Sequence, residues 1–524
     1  MDPTSLTPAG RRHGVAAARG AVGVGGLTML SRLLGYARDA LIAASLGAGW
    51  LADAFFVGFK LVNLVRRLAG EGAFGAAFVP LFLRELEAGG PPRARRFAEQ
   101  ALAAAAAALL AFLVAAELLA PALVRLLATG FAPEEARFAA AVGLLRIMLP
   151  YLLWAVLAAL LGALLGALGR FMAAAAMPIL LNLCMIAGLG LAWHLDLASA
   201  AVLAWSVALA GLLQFLAMLA AVHAAGYRLR AVRPRASPPV RRLARLGGPA
   251  LLGTGALQIN LLVDSWLASH LAPGAVSWLF YADRLVQLPL GLVGVALGTV
   301  LLPLLSRAVR EGDAGLAGQA QNRAIEAALL LVLPAAVGLA AVALPLIQVL
   351  FERGAFGPEA SGATAVALAA FAIGLPAQAL ARVLAPSFFA REDTRTPLLL
   401  ALACVAFNAA LAWLLMGRLG HAGIALATSL AAWLYALWLG WRLWRAGHLL
   451  PDARLRRRLP RLLVASGLMG LALWAAAGAL DGAGPGPLLA ALVGVGVLVY
   501  LAAAQLTGAA SWRELAPLLR PGRS

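Results

Sequence analysis

The sequence is poor in charge and in cysteine. Only 12% of its 524 residues carry a formal charge and 63% are hydrophobic, whereas soluble domains are about half apolar and about a quarter charged. Such a chain cannot cover its apolar surface in water, which excludes a soluble enzyme, a fibrous protein and a disordered chain. The two cysteines, Cys184 and Cys404, lie inside apolar runs, so the sequence offers neither a disulfide framework nor a thiolate metal site.

The sequence also lacks a nucleotide-binding motif. No segment matches GxxxxGK[ST], and Lys60 is the only lysine in the chain. Because the lysine of that motif contacts the terminal phosphates of ATP, ATP hydrolysis is not the direct source of energy here. We expect a protein that is not an enzyme.

What the sequence does contain is a series of apolar runs, each long enough to cross a hydrocarbon core of about 30 Å. Its mean hydropathy is +0.90. Breaks at proline, glycine and charge clusters predict an all-α polytopic membrane protein with fourteen transmembrane helices. The predicted spans are residues 22–46, 51–80, 98–124, 138–165, 171–194, 198–224, 247–271, 275–305, 323–350, 361–389, 397–417, 422–441, 460–479 and 487–506.

Arginines mark one side of the predicted membrane. They cluster in the N-terminal tail and in the loops after spans two, six, eight, ten and twelve, whereas the other loops are short or carry both signs of charge. By the positive-inside rule, both termini are cytoplasmic. The formal charge of +19 is therefore a topology signal and does not indicate nucleic-acid binding. The basic segment 228–245 is also a candidate contact for anionic lipid headgroups.

The two halves of the sequence resemble each other. Lys60-Leu61-Val62 matches Arg284-Leu285-Val286, and Pro80 matches Pro303 at nearly the same spacing. We expect two six-helix lobes in the same orientation, as in many alternating-access transporters; a duplication that now serves only packing is the alternative. The predicted parts are a cytoplasmic tail at 1–21, an N-lobe at 22–224, a basic cytoplasmic linker at 225–246, a C-lobe at 247–441, a two-helix appendage with its basic loop at 442–506, and a cytoplasmic tail at 507–524.

Charges inside three predicted spans indicate a lumen. Insertion scales assign about 2.5–3.5 kcal/mol to each charge in mid-membrane, so a group this dense requires a wet cavity lined by protein, which we place between the lobes. The residues are Arg32, Arg38 and Asp39 in span one, Asp53, Lys60, Arg66, Arg67 and Glu71 in span two, and Asp283 and Arg284 in span eight.

These charges allow a ligand interpretation and a purely structural one. Internal pairing leaves Arg32, Lys60 and Arg66 as surplus positive charge, and this surplus favours a bound anion. Because arginine binds phosphate through two parallel hydrogen bonds, a pyrophosphate is a good chemical match. The structural interpretation pairs Arg38 with Asp39 and Asp283 with Arg284, and stacks Asn63, Arg67 and Glu71 as an ion-pair ladder at four-residue intervals.

Several segments together form a specific pattern. The first half contains Ser31–Ala40 (SRLLGYARDA), Asp53–Phe56 (DAFF), Phe59–Leu64 (FKLVNL), Arg66-Arg67 and Glu71–Pro80 (EGAFGAAFVP). The second half contains Val276–Trp278 (VSW), Tyr281–Arg284 (YADR), Gly294–Pro303 (GVALGTVLLP), Phe351–Phe356 (FERGAF), Asp393–Pro397 (DTRTP) and His421–Ser429 (HAGIALATS). This pattern resembles the MurJ/MviN family of lipid II flippases over roughly residues 20 to 505.

The resemblance implies the fold of the multidrug, oligosaccharidyl-lipid and polysaccharide exporters. It also implies transport of lipid II, the undecaprenyl-pyrophosphate-linked peptidoglycan precursor, from the inner to the outer leaflet of the bacterial cytoplasmic membrane. We expect a monomer whose partners are lipid II and membrane lipids.

The resemblance further implies roles for individual residues. The family's essential cations fall on Arg32, Arg38, Arg66 and Arg284, and its functional acids include Asp39, Asp53 and Glu71. One departure from the family pattern is Gln287, where some relatives carry an acid. Lys60, Asn63 and Asp283 are added to the candidate substrate site because of their charge or position, as argued above.

A second candidate site concerns a coupling cation. Asp264 lies deep in span seven without a basic residue nearby. Some family members bind sodium with an acid at this place, an Asn and an Asp from span eleven and a Thr from span twelve. Asn408 and Thr428 match, but the second acid is replaced by Ala412. Because a hard cation prefers several oxygen ligands, we expect a weak Na⁺ site or a proton site, and no other cofactor.

The sequence leaves two alternatives to lipid II transport open. An exporter of the same fold for another polyprenyl-linked polysaccharide or for drugs is the nearer alternative, and a drug exporter would be expected to have an apolar or acidic lumen. A membrane scaffold that transports nothing would need no charges in mid-span.

Overall fold

A computed structural model describes residues 8–68, 74–235, 237–256, 259–480 and 482–509. All regular secondary structure in these ranges is α-helical, which confirms the predicted all-α membrane fold. The helices are α1 (Pro8–Leu46), α2 (Trp50–Leu68), α3 (Phe74–Leu118), α4 (Ala120–Leu127), α5 (Ala136–Met148), α6 (Pro150–Ala167), α7 (Met172–His194), α8 (Ser199–Ala224), α9 (Pro238–Ala256), α10 (Ile259–Ala268), α11 (Ala275–Arg310), α12 (Ala314–Ala341), α13 (Ala343–Phe351), α14 (Pro358–Phe389), α15 (Arg395–Arg445), α16 (Ala453–Ala479) and α17 (Pro485–Leu506).

The longest helices break between predicted spans. Helix α3 loses helical geometry at Gly89 and Gly90, between spans two and three, and α15 does so at Gly420, between spans eleven and twelve. Gly420 has φ 55°, a conformation that glycine adopts without the steric cost of a Cβ atom. Residues 69–73 of predicted span two, with the candidate site residue Glu71, lie outside the described residues.

The charged helices differ in composition from the others. Nine helical stretches of the described residues are long and apolar enough to cross a membrane. Helices α1, α2 and α11, which carry the charges predicted to lie in mid-span, are not among these nine. The charges predicted to lie in mid-span are therefore on helices that do not meet the length and hydropathy of these nine stretches.

The chain divides into two compact units between Gln258 and Ile259. In the N-terminal unit, α1 packs on α7, α7 on α8, α8 on α6 and α6 on α3, while α2 packs on α5. In the C-terminal unit, α14 packs on α11, α12 and α15. The lobe, linker and appendage boundaries given above stay predictions.

Part of the predicted basic linker is folded. Helix α9 begins inside it, and Val240 and Leu243 are buried in the apolar cluster formed largely by α3 and α6. Arg241, Arg242 and Arg245 are exposed. Positions three apart lie on one face of a helix, so this helix places its apolar side on the N-terminal unit and presents its arginines outward.

The last two helices attach to the C-terminal unit through α12. Glu326 is only 5% exposed and forms ion pairs with Arg323 on its own helix and with Arg454 and Arg458 on α16. Tyr500 of α17 donates a hydrogen bond to the Leu330 carbonyl oxygen over 2.7 Å. A buried carboxylate surrounded by arginines and a tyrosine hydroxyl thus fix the terminal helix pair to α12.

Candidate substrate and cation sites

A buried ion pair on α1 is hydrogen-bonded to α7. The Nε and Nη2 atoms of Arg38 donate to Asp39 Oδ1 over 2.9 and 2.6 Å, and Nη1 donates to Asn182 Oδ1 over 2.9 Å. Asn182 Nδ2 in turn donates to the Ser31 carbonyl oxygen over 2.9 Å. Arg38 and Asp39 are 4% and 1% exposed. The predicted pairing of Arg38 with Asp39 is therefore confirmed.

Asn182 is the site residue that the sequence reasoning missed. It is 5% exposed on the otherwise apolar α7, and its amide bonds to both Arg38 and the α1 backbone. A polar residue inside an apolar span usually makes contacts between helices. A lone asparagine in such a run was therefore the signal that could have identified it.

Arg32 and Arg38 have different surroundings. Helix α1 includes both residues, and six residues of α-helix turn through 600°, or about 240° net, so the two side chains leave the helix on different faces. Arg38 is buried, whereas Arg32 is partly exposed. Within the described part of the chain, Arg32 has no hydrogen bond or ion pair. Its charge is thus available to a ligand.

Helix α2 carries the remaining candidates of the N-terminal unit. The Arg38 guanidinium lies 5.6 Å from the centre of the Phe59 ring, a cation–π contact that joins α1 to α2. Asn63 donates to the Phe59 carbonyl oxygen over 3.1 Å and accepts from Arg66 Nε at 3.4 Å. Asp53 is 1% exposed and Lys60 is partly exposed.

The predicted ion-pair ladder on α2 extends past the end of this helix at Leu68. Its Glu71 end lies outside the described residues. At its other end, the side-chain oxygen of Asn63 accepts from Arg66, three positions along. This contact links Asn63 to a cation that the family resemblance selects.

The predicted pairing of Asp283 with Arg284 is not what the structure shows. Asp283 Oδ1 accepts a hydrogen bond from Gln287 Nε2 over 3.2 Å, and the Arg284 guanidinium lies 5.0 Å from the centre of the Phe280 ring. Side chains four positions apart meet on a helix surface, whereas adjacent ones diverge. Gln287, the departure from the family pattern, is therefore the partner of Asp283.

The three predicted cation ligands come together in the C-terminal unit. Asn408 Nδ2 donates to Asp264 Oδ1 over 2.9 Å, and Thr428 Oγ1 lies 3.3 and 3.2 Å from Asp264 Oδ1 and Oδ2. Thr428 Oγ1 is also 3.4 Å from Asn408 Oδ1. Asp264 belongs to α10, and the other two belong to α15.

Gly420 explains how two residues of one helix meet at this site. Twenty residues of straight α-helix extend about 30 Å, yet Asn408 and Thr428 are in side-chain contact. The chain must therefore fold back between them, and Gly420 is where α15 leaves helical geometry.

The donor set of this group suits a hard monovalent cation or a proton. It offers a carboxylate, an amide oxygen and a hydroxyl, and oxygen atoms are the ligands that such cations prefer. Ala412, one turn after Asn408, is fully buried and adds no ligand. Within the residues the structure describes, no group of three His, Cys, Asp or Glu side chains is placed to hold a metal ion. The residues present thus fit weak cation binding.

The family model described as lipid II flippase MurJ matches residues 42–492. The chain belongs to the lipid II flippase MurJ family. Among its relatives, the probable lipid II flippase MurJ of Rhizobium meliloti (strain 1021) is 44% identical over 513 residues, covering 96% of both chains. That of Rhizobium tropici is 45% identical over 451 residues, covering 85% of this chain and 84% of the relative.

Solved structures agree with the fold. The lipid II flippase MurJ in an inward closed conformation has a TM-score of 0.79 at 23% identity, covering 95% of this chain and 99% of the other. An inward-facing multidrug resistance MATE family transporter of the MOP superfamily has a TM-score of 0.66 at 16% identity, covering 82% and 99%. At these identities the likeness concerns the fold alone.

Replacing Arg38 by alanine should destabilise the protein by about 3–5 kcal/mol, because the buried Asp39 would lose its arginine partner. The double variant R38A/D39A removes both charges and should recover most of that loss. The apparent melting temperature in detergent measures both effects. A single variant as stable as the wild type, or a double variant no more stable than the single one, would contradict this role of the pair.

Proposed function

We propose that the protein moves lipid II from the inner to the outer leaflet of the bacterial cytoplasmic membrane by alternating access. The observation that carries this proposal is the family match over residues 42–492. The chemistry of the candidate site agrees with it, because lipid II carries a pyrophosphate and the charged helices α1, α2 and α11 carry several arginines. No covalent step is required of the protein.

The arginines divide into two roles in this proposal. Arg38 holds α1, α2 and α7 together through Asp39, Phe59 and Asn182. Arg32 is not committed to a partner within the described residues, so it is the cation of the N-terminal unit best placed to bind a phosphate oxygen. Arg66 and Lys60 add positive charge on α2.

Arg284 is the proposed headgroup ligand in the C-terminal unit. Its position corresponds to Lys60 in the internal repeat, so each half of the chain provides a cation at an equivalent position. A pyrophosphate has enough oxygen atoms to accept hydrogen bonds from several cations at once. A bound headgroup would favour the conformational state for which it has the higher affinity, because a ligand shifts a conformational equilibrium by its differential affinity.

Replacing Arg32 or Arg284 by alanine should reduce the flipping of lipid II in proteoliposomes by at least about tenfold, since each change removes a charge-assisted contact to the headgroup. Arg32 is partly exposed and makes no ion pair within the described residues, so the melting temperature of its alanine variant should stay near that of the wild type.

The matched control for these variants is Arg310→Ala at the exposed end of α11, where Nε donates only to the Ser306 carbonyl oxygen. It removes the same charge and should flip lipid II at the wild-type rate. If the Arg32 and Arg284 variants flip as fast as this control, the headgroup-binding role fails.

We also propose that Asp264, Asn408 and Thr428 form the site of a coupling cation, either Na⁺ or H⁺. The contacts of 2.9–3.3 Å between these side chains support it. Asn408 and Thr428 donate hydrogen bonds to the carboxylate oxygens, and a bound cation would replace those hydrogen atoms as the partner of the oxygens. The single carboxylate implies weaker Na⁺ binding than a site with two acids would have.

A Na⁺ gradient and a pH gradient, applied separately, distinguish Na⁺ from H⁺ as the coupling cation. A Na⁺ gradient at uniform pH, or a pH gradient without Na⁺, should accelerate flipping by the wild type. Asp264→Asn should remove that dependence because it removes the carboxylate of this group. Glu359→Gln, which neutralises an exposed acid at the start of α14, serves as control and should respond like the wild type. If neither gradient affects the wild type, the coupling role is wrong.

We further propose that both termini and the arginine-rich loops face the cytoplasm. The support is the asymmetric placement of arginines along the sequence, which orients membrane proteins during insertion. The exposed arginines of α9 are part of this set.

Cysteine labelling checks this orientation in a background without Cys184 and Cys404. A cysteine replacing the exposed Arg242 should be protected from a membrane-impermeant maleimide in intact spheroplasts and become reactive after permeabilisation. Glu134→Cys, in the exposed loop before α5, should react in both. The opposite pattern would reverse the topology.

A further inference from the structure

The C-terminal unit contains a second basic cavity, separate from the candidate substrate and cation residues. It has a volume of about 380 Å³ and lies where α14 ends and where α15 both begins and ends. Its polar lining consists of Arg391, Asp393, Thr396, Arg442, Arg445 and His448. Because α15 folds back at Gly420, residues from its first and last turns line the same cavity.

The arginines of this cavity outnumber its acids. Within the described residues, Arg391, Arg442 and Arg445 form no ion pair with a carboxylate. Arg391 Nη1 donates to the Ser387 carbonyl oxygen over 2.7 Å, and the Arg445 guanidinium lies 5.5 Å from the centre of the Trp441 ring. Both contacts position a guanidinium and leave its charge uncompensated.

The cavity lining includes one acid, Asp393, whose carboxyl interacts with Thr396 and, more weakly, with the charge of Arg442. Asp393 Oδ1 accepts a hydrogen bond from the Thr396 backbone N–H over 2.9 Å, and this bond lowers the pKa of the Asp393 carboxyl. Asp393 thus stays ionised at the start of α15, but the arginines outnumber it three to one. The cavity therefore keeps an excess of positive charge.

Burial acts on two of the basic groups. It lowers the pKa of the Arg391 guanidinium, which means that water solvates this cation poorly. Burial and the Arg391 charge lower the pKa of His448. A bound anion would supply the charge compensation that water does not.

The surroundings of the cavity are those of a membrane surface. Trp441 and Trp444, on the turns of α15 that carry Arg442 and Arg445, are 43% and 59% exposed, and Leu437 one turn earlier is 62% exposed. Exposed tryptophans mark the headgroup level of a bilayer, and exposed leucines beyond them face the acyl chains. A ligand in this cavity would thus have a polar group among the arginines and apolar chains along α15.

We propose that this cavity binds the phosphate group of an anionic membrane phospholipid, with Arg391, Arg442 and Arg445 as its ligands. Basic pockets between transmembrane helices bind lipid headgroups by this chemistry, since guanidinium groups form paired hydrogen bonds to phosphate oxygens. The site is distinct from that of the transported lipid and does not rest on the proposed flipping activity.

The test measures lipid binding to the full-length protein by native mass spectrometry from detergent. Phosphatidylglycerol, phosphatidylcholine and inorganic phosphate are added separately. The wild type should bind phosphatidylglycerol more tightly than phosphatidylcholine. The variant R442Q/R445Q should weaken phosphatidylglycerol binding by about tenfold or more, because it removes two charge-assisted contacts, while R442K/R445K should retain part of it.

The matched control is R307Q/R310Q, which removes the same charge from exposed arginines at the end of α11. If this variant loses phosphatidylglycerol binding to the same extent, general surface charge explains the affinity and the proposal is overturned. It is also overturned if inorganic phosphate binds the wild type as tightly as phosphatidylglycerol does, since the cavity would then be a site for free phosphate. The single variant R442Q, whose side chain is exposed, provides the measurement if the double variant does not fold.

Discussion

A charged side chain in the hydrocarbon core needs either a partner or water, because it costs several kcal/mol without them. Nine helical stretches of the described residues meet the constraint because their apolar segments carry few charges. Helices α1, α2 and α11 meet it in two other ways. Arg38 has a carboxylate, an amide and an aromatic ring around it, whereas Arg32 is partly exposed. Arginine therefore has two roles on α1: Arg38 holds helices together, and Arg32 is available to a ligand.

The same constraint shapes the C-terminal unit. Asp264 has an amide and a hydroxyl beside it, and Glu326 has three arginines. The Glu326 group is fully ionic and joins the terminal helices to α12, which is a structural task. The Asp264 group places the oxygen atoms of an amide and a hydroxyl near a carboxylate, which are the ligand types that the proposed cation site requires.

The sequence predicted some of this organisation well. Hydropathy predicted the helical membrane fold, and the glycine-rich breaks coincide with Gly89, Gly90 and Gly420. The contact between Asp264, Asn408 and Thr428 was expected from the family resemblance, because nothing in the spacing of three residues on different helix segments indicates that they meet.

Other features required coordinates. The sequence placed Arg38 next to Asp39 but gave no reason to select Asn182, on α7, as their third partner. It suggested that Asp283 pairs with its neighbour Arg284, whereas helix geometry directs it to Gln287. The cavity near Arg442 also escaped notice, because its arginines look like ordinary members of the basic loops until the fold of α15 brings them together.

We propose above all that the arginines of α1, α2 and α11 recognise a pyrophosphate. The most direct test compares the binding of lipid II, its monophosphate analogue and an uncharged analogue to the wild type and to Arg284→Ala. The account predicts that the wild type binds lipid II best and the uncharged analogue worst, and that this difference shrinks in the variant. Equal affinity of the wild type for all three ligands would contradict the claim, and the charges would then be explained by internal pairing alone.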